Sequence, residues 1–220
     1  MQTTTDRARF NMIEQQVRPW EVLDERVLAV MRKLPREAFV PDAYRGLAYA
    51  DIEIPLGEQS AMLAPKVVGR LLQALDVQPQ ETVCEIGTGT GYVTACLAHL
   101  GEQVFSIEID PDLAEGARAR LKAMGLSQAE VHTADAFAGQ FQGGPFDVIA
   151  VTGSVPTAEP LAALEQLLTD GGRLFIVVGE PPLMEAIRIT RIGKDFRREI
   201  LFETCIAPLE NAPLPERFAF

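Results

Sequence analysis

The feature that most constrains the fold is a regular alternation of short apolar segments with helical patterns from residue 67 onward. Strands separated by helices of about 10–15 residues are typical of a mainly parallel sheet with helices on both faces. The pattern therefore predicts an α/β fold of this architecture. The strands are expected at residues 82–86, 103–107, 129–133, 146–152 and 173–178, and the helices at residues 67–75, 92–100, 111–124 and 158–168.

The segments on either side of this alternation follow other patterns. Residues 7–17 and the stretch between Asp24 and Pro35 are expected to be helical, because Asp24 can cap a helix and Pro35 ends one. Residues 41–65 contain prolines and glycines without a clear period, and loops of that length usually bind something. Near the C-terminus, β segments at 186–192 and 197–206 flank Gly193-Lys194-Asp195, which predicts a hairpin.

Composition excludes several classes of partner. The formal charge of -11 is a poor match for a phosphate backbone, so no nucleic-acid partner is expected. We expect no membrane partner and a cytoplasmic location, because no apolar run is long enough to span a bilayer and the start of the chain lacks a secretory pattern. The three scattered cysteines, Cys84, Cys96 and Cys205, are interpreted as buried thiols, and no metal site is expected.

The first expected strand of the alternation runs into three alternate glycines, Gly87, Gly89 and Gly91, and then into a helix. Glycines let the backbone turn sharply and approach a ligand, and a helix N-terminus offers free N–H groups. A tight turn without a ligand would account for the glycines alone. Glu108 and Asp135, however, follow the next two strands, where side chains can reach a ribose diol and an adenine edge. The pattern therefore predicts a nucleotide-like ligand at the carboxyl end of the sheet.

The glycine spacing also separates classes of nucleotide. A dinucleotide fingerprint reads G-x-G-x-x-G, whereas here the glycines alternate and Glu85 lies two residues before the first of them. A carboxylate would repel a pyrophosphate but would suit a ligand with a cationic amino-acid end. S-adenosylmethionine has both an ammonium and a sulfonium group, and is the expected cofactor.

These residues resemble class I S-adenosylmethionine-dependent methyltransferases and, among them, the protein-L-isoaspartate O-methyltransferase family. The motifs that carry the resemblance are the glycine turn, Leu34-Pro35-Arg36-Glu37-Ala38-Phe39-Val40-Pro41, Tyr49-Ala50-Asp51, Ile54-Pro55-Leu56-Gly57, Pro145-Phe146-Asp147-Val148-Ile149 and Asp170-Gly171-Gly172-Arg173-Leu174. The resemblance implies a Rossmann-like fold. It also implies that the cofactor is held by Glu85, Gly87, Thr88, Gly89, Thr90, Gly91, Tyr92, Glu108, Ile109, Asp135, Ala136 and Thr152, with the methionine end at residues 85–91, the ribose at Glu108 and the adenine at 135–136.

The acceptor loop departs from the family pattern. Members of the family carry Gly-Gln-Thr-Ile-Ser-x-Pro before the first core helix, and here residues 57–65 read Gly-Glu-Gln-Ser-Ala-Met-Leu-Ala-Pro. Counting back from Pro65 puts Leu63 at the family serine, whereas aligning on Gln59 puts Met62 there and Ser60 at the threonine. The resemblance implies substrate contacts by Asp51, Gln59, Ser60, Met62 and Leu63, with Ser60 as the candidate catalytic residue.

Methyl transfer to a carboxylate needs no general base, because the acceptor is already ionised at pH 7. This agrees with the presence of only two histidines, of which His99 is expected at a helix C-terminus and His132 at a solvated strand position. Trp20 is interpreted as a docking residue of the N-terminal segment, and the run of basic residues at 188–198 as a solvated hairpin face. Phe218 and Phe220 could pack on the body or on a second subunit.

Three functions are compatible with these observations. The first is carboxyl methylation of L-isoaspartyl residues in damaged proteins, a repair activity. The second keeps the fold and cofactor but acts on another carboxylate or a small molecule, and the third is a non-catalytic cofactor-binding module. In each case we expect one compact domain, with a helical segment and acceptor loop at residues 1–66 and the cofactor-binding α/β core at residues 67–220. The oligomeric state is not indicated.

Overall fold

The computed structural model describes residues 4–138 and 143–215. The N-terminal part contains α1 (Thr4–Met12), which continues into a π-helical turn (Ile13–Val17), and α2 (Glu25–Lys33), followed by a short antiparallel pair, β1 (Ile54–Pro55) and β2 (Ala61–Met62). The α/β part consists of α3 (Pro65–Leu75), β3 (Thr82–Ile86), α4 (Tyr92–Leu100), β4 (Gln103–Glu108), α5 (Pro111–Ala123), β5 (Ala129–Thr133), β6 (Phe146–Val155), α6 (Leu161–Gln166), β7 (Leu168–Glu180), β8 (Leu183–Ile192) and β9 (Asp195–Glu203).

The main sheet has seven strands in the order β5-β4-β3-β6-β7-β8-β9. The pairs among β3 to β7 are parallel, and β8 and β9 form the antiparallel hairpin predicted from the sequence. Chain order reverses direction at β3, since β4 lies on one side of it and β6 on the other. In open α/β sheets a ligand binds at the carboxyl ends of strands at such a switch point.

The two faces of the sheet bury different apolar clusters. Alternate residues of β6 point to opposite faces, so that Val148 and Ala150 join one cluster and Ile149 and Val151 join the other. The first cluster includes apolar residues of α2 to α5, and the second includes Leu161 and Leu164 of α6. The predicted α/β fold with helices on both faces is therefore confirmed.

Several element limits differ from the sequence-based expectation, most of all those of α6 and β7. The helix expected at residues 158–168 is limited to Leu161–Gln166, and β7 begins at Leu168 rather than at residue 173. The early start of β7 reflects the pairing of Leu168 with Phe146, which is separated from the next pairs by a register irregularity. Gly171 in this irregular stretch has a φ of 81°, a conformation that favours glycine.

The N-terminal segment shares its core with the sheet. The first apolar cluster contains Met12, Leu28 and Leu63 together with Val83 and Phe175, so it crosses position 66. Trp20 lies edge-on to Phe202 of β9, with ring centroids 5.9 Å apart, and Lys66 Nζ lies 4.5 Å from the Trp20 ring centroid. These contacts agree with the interpretation of Trp20 as a docking residue. The division of the chain at residues 66 and 67 stays a prediction.

The structure also locates the cysteines, the two histidines and the basic run that the sequence analysis singled out. The interpretation of all three cysteines as buried thiols is wrong for Cys205, which is exposed because it lies beyond β9, while Cys84 and Cys96 are buried. His132 is exposed, and burial together with Lys33 lowers the pKa of His99 at the end of α4. In the basic run, Arg188 pairs with Glu199 and Arg198 with Glu165. Phe218 and Phe220 lie outside the described residues.

Candidate functional site

The glycine turn has the backbone conformation that its sequence predicts. Gly87, Gly89 and Gly91 have φ values of 94°, 54° and 87°. A Cβ on Gly87 would lie 2.5 Å from Thr152 Oγ1, so only glycine fits there. The amides of Gly87 and Thr88 both donate to the carbonyl oxygen of Ile107, at 2.9 and 3.1 Å. These bonds fix the turn against the end of β4.

The turn borders a cavity of about 470 Å³, which we call the large cavity. Three strand ends, the β1–β2 hairpin and residues 207–210 enclose it. Ten of the residues expected at the site line it, namely Gly87, Gly89, Glu108, Ile109, Asp135, Ala136, Thr152, Gln59, Ser60 and Leu63. The structure therefore brings the predicted ribose and adenine residues together with the predicted acceptor loop.

A second, small cavity of about 40 Å³ adjoins the large one. Six residues line both cavities: Leu56, Ala61, Leu63, Gly87, Gly89 and Thr152. Thr88, Thr90, Tyr92 and Met62, which were also expected at the site, line only the small cavity. Met62 and Leu63, the two alternative positions of the family serine, both contribute buried apolar side chains to this wall.

Glu108 occupies the floor of the large cavity at the end of β4. Its side chain is buried, and its two oxygens accept hydrogen bonds from the amides of Gly89 at 2.6 Å and Asp110 at 3.0 Å. A carboxylate oxygen can accept more than one hydrogen bond, so both oxygens can also receive hydroxyl donors from a ligand. This carboxylate therefore links the glycine turn to the predicted ribose position.

Asp135 is held by a contact that the sequence does not reveal. Its Oδ1 accepts from the Phe137 amide at 2.8 Å, and its Oδ2 accepts from Asn211 Nδ2 at 2.8 Å. The segment at 207–210 reaches the cavity because the Ser154 amide donates to the Ala207 carbonyl oxygen and the Leu209 amide donates to the Ser154 carbonyl oxygen. A Cβ on Gly153 would lie 2.8 Å from Leu209 Cγ, so the glycine makes room for this segment. The glycine at position 153, within an otherwise apolar strand, is the sequence feature that could have indicated a close approach by another segment.

Three expected site residues lie away from both cavities. Gly91 packs against α5, where an added Cβ would lie 3.2 Å from Ala117 Cβ. Asp51 forms an ion pair with Lys66 at 2.7 Å. The third is Glu85.

Glu85, which was expected at the methionine end of the cofactor, lines neither cavity. Its side chain is fully buried beneath the turn, where Oε2 accepts hydrogen bonds from the hydroxyl groups of Thr94 and Ser106, each at 2.5 Å. Burial raises the pKa of the Glu85 carboxyl to about 8, although the two hydroxyl groups oppose the shift. The physical reason is strand geometry, because Glu85 pairs in register with Ser106 and Ala150 inside the sheet rather than at its edge.

The lining of the large cavity is strongly acidic. Its carboxylates are Glu53, Glu58, Glu108, Asp110, Asp135 and Glu210, and the described lining residues include no lysine, arginine or histidine. Such a surface favours a ligand that is cationic or rich in hydrogen-bond donors. A nucleotide with a pyrophosphate would be repelled. Among the described residues, no group of three or more His, Cys, Asp or Glu side chains could hold a metal ion.

The family model described as Protein-L-isoaspartate(D-aspartate) O-methyltransferase (PCMT) matches residues 7–209. The chain belongs to this family. The match covers both the N-terminal segment and the sheet, so the PCMT pattern extends well beyond the glycine turn. None of the helices in the described ranges is long and apolar enough to cross a bilayer.

Curated relatives of the chain agree with the family assignment. A protein-L-isoaspartate O-methyltransferase of Rhodopseudomonas palustris is 38% identical over 203 residues, which cover 91% of this chain and 92% of the relative. Another, of Methylorubrum extorquens, is 42% identical over 188 residues, which cover 86% and 81%.

Solved structures agree on the fold. A protein assigned as a PCMT from Plasmodium falciparum, crystallised with S-adenosyl-L-homocysteine, superposes with a TM-score of 0.78 at 20% identity, covering 95% of this chain and 99% of that one. At this identity the likeness establishes the Rossmann-like fold alone.

The buried carboxyl of Glu85 generates a pH prediction. An acid whose pKa rises from 4.5 to about 8 on folding contributes stability that is complete below pH 4.5 and is lost as the pH rises to about 8. Glu85→Gln removes this titration. The unfolding free energy of the wild type, relative to that of Glu85→Gln, is therefore expected to fall between pH 5 and 8 in urea titrations.

Glu115→Gln, an exposed substitution on α5, is the control and should leave the pH profile unchanged. Parallel profiles for the wild type and Glu85→Gln would contradict the prediction.

Proposed function

We propose that this chain is an S-adenosylmethionine-dependent enzyme that methylates the carboxylate of L-isoaspartyl residues in proteins and peptides. The observation that carries the proposal is the position of Glu108, which joins the glycine turn to an acid-lined cavity closed by the acceptor loop. Family membership supports the same activity, since the relatives named above are protein-L-isoaspartate O-methyltransferases.

The described residues fit the cofactor from one end of the large cavity to the other. The adenine would lie against Asp135 and Ala136, the ribose hydroxyls would donate to Glu108, and the methionine end would lie along Gly87 and Gly89. The acidic lining suits an ammonium and a sulfonium group. The cofactor supplies an electrophilic methyl group, and the chain has to place a carboxylate in line with it.

The chain contributes orientation and exclusion of water. Opposite charges on the sulfonium and the acceptor are neutralised during transfer, so water, which stabilises separated ions, slows the reaction. Leu56 and Leu63 present apolar side chains where the large and small cavities meet, and Met62 adds another in the small cavity. The acceptor carboxylate is already ionised, so no side chain has to remove a proton. Gln59 and Ser60 are exposed and line the large cavity, which supports their proposed contact with the peptide.

A cytoplasmic location is part of the proposal. Cys84, Cys96 and Cys205 are free thiols, as a reducing compartment would leave them. The proposed partners are isoaspartyl-containing proteins and peptides.

Glu108→Ala tests the cofactor site. Loss of a charged acceptor for the ribose hydroxyls is expected to weaken S-adenosylmethionine binding by roughly 10- to 100-fold, measured by calorimetric titration. Glu102→Ala, at an exposed position before β4, should bind like the wild type. If Glu108→Ala binds the cofactor with wild-type affinity, the ribose does not contact Glu108.

A labelled-methyl assay tests the acceptor. The wild type is expected to transfer methyl groups to an isoaspartyl peptide and not to the matched aspartyl peptide. Ser60→Ala should lower kcat/KM for the isoaspartyl peptide by about 10-fold, because a hydroxyl contact is lost, without changing cofactor affinity.

Ser127→Ala removes a hydroxyl from an exposed loop outside both cavities and is the matched control. Equal transfer to both peptides by the wild type would overturn the isoaspartyl assignment. An unchanged kcat/KM in Ser60→Ala would instead remove Ser60 from the list of substrate contacts.

A further inference from the structure

Arg36 is a buried cation beside the small cavity. Its side chain is 1% exposed, and it donates from Nε to the carbonyl oxygen of Ala48 at 2.9 Å and from Nη2 to that of Leu63 at 2.7 Å. Its third nitrogen, Nη1, is buried and has no hydrogen-bond partner among the described residues. Two of the three nitrogens thus hold the N-terminal segment and acceptor loop, and the third is available.

The charge of Arg36 also lacks a counter-ion. Among the ion pairs of the described residues none involves Arg36, and its guanidinium instead lies 4.8 Å from the centroid of the Tyr92 ring. Burial without an acidic partner lowers the pKa of the guanidinium. An uncompensated buried charge is costly, so the folded protein gains if an anion approaches it.

The surroundings of Arg36 fit a small anion. Tyr92 Oη is a second buried polar atom that makes no hydrogen bond of normal geometry in the described ranges, although it lies close enough to Arg36 and Cys96 to affect their pKa values. Arg36 and Tyr92 both line the small cavity. The volume of about 40 Å³ is enough for a carboxyl group or a single water molecule. Only a carboxylate would also balance the charge, and the free Nη1 can donate a charge-assisted hydrogen bond to it.

The small cavity lies beside the expected ligand position in the large one. Leu63, Gly87 and Gly89 belong to the walls of both, so a group in the small cavity can be part of a molecule that fills the large one. Among the described residues, the charged side chains that line the large cavity are all acids, whereas Arg36 is the one charged residue that lines the small cavity. The large cavity therefore suits the cationic part of a zwitterionic ligand, and the small cavity suits its anionic part.

We infer that Arg36, assisted by Tyr92, binds a carboxylate in the small cavity. The inference rests on the proposed function, which supplies two sources of that group, the amino-acid end of the cofactor and the carboxylate of the acceptor. The cofactor is the favoured source, because the small cavity lies along Thr88, Gly89 and Thr90 at the expected methionine end.

Calorimetric titration with S-adenosylhomocysteine and with its decarboxylated analogue separates the sources. The wild type is expected to bind the carboxylate-containing ligand about 30-fold more tightly, a ratio typical of a charge-assisted hydrogen bond. In Arg36→Gln this ratio should fall to near one. If the acceptor is the source, the ratio is unaffected, and KM for the isoaspartyl peptide rises about 10-fold in the variant.

Arg70→Gln is the matched control. Arg70 also donates to two backbone carbonyls and lies over an aromatic ring, but it lines neither cavity, so its loss should change neither the ratio nor KM. An Arg36→Gln protein that is folded and retains both the wild-type ratio and the wild-type KM would overturn the inference.

A crystal structure of the wild type with S-adenosylhomocysteine and an isoaspartyl peptide gives a test that does not depend on the variant folding. The inference requires a carboxylate oxygen within about 3.5 Å of Arg36 Nη1, and a water molecule there instead would overturn it. Failure of the proposed function would be recognised separately, because it would appear as absent methyl transfer by the wild type.

Discussion

The site depends on the junction between the carboxyl ends of β3 and β4. The Ile107 carbonyl accepts the first two amides of the glycine turn, and the Glu108 carboxylate accepts the Gly89 amide. Beneath it, Ser106 donates to Glu85 and shares a hydrogen bond with Thr88. Because one strand end fixes the turn by both backbone and side-chain bonds, the cavity floor is built before any ligand arrives, and binding need not order it.

The charged side chains around this junction differ in how deeply they are buried. The acids that line the large cavity, of which Glu108 alone is buried, can meet a cationic, hydroxyl-bearing ligand. Glu85 lies deeper and is favoured in its neutral form, so it adds little to that field at neutral pH. Arg36 supplies positive charge to the small cavity, which shares Gly87 and Gly89 with the large one. Although the whole chain is acidic, negatively and positively charged side chains thus occupy separate, defined positions at the site.

The sequence predicted the repeating parts of this structure better than the contacts between distant segments. Strands 82–86 and 129–133 and the helix at 92–100 match the observed bounds, since local periodicity and glycine or proline boundaries determine them. The bond between Asp135 and Asn211 could not be predicted, because it joins segments that only the completed fold brings together. The direction of the Glu85 side chain was not predicted for a related reason. Because Glu85 lies only two residues before Gly87, a contact with the ligand was predicted, whereas strand pairing directs its side chain into the sheet.

In the divergent acceptor loop, backbone atoms hold the path of the chain and side chains form the wall of the cavities. Arg36 holds the loop through the carbonyl oxygen of Leu63, and β1 holds it through pairing of Ile54 with Met62. Both contacts use backbone atoms of residues 62 and 63, so their hydrogen bonds do not depend on which side chains these residues carry. An apolar residue in place of the family serine can therefore leave the path of the loop unchanged. What changes is the wall of the cavities, which becomes more apolar where opposite charges must meet, and this favours their neutralisation.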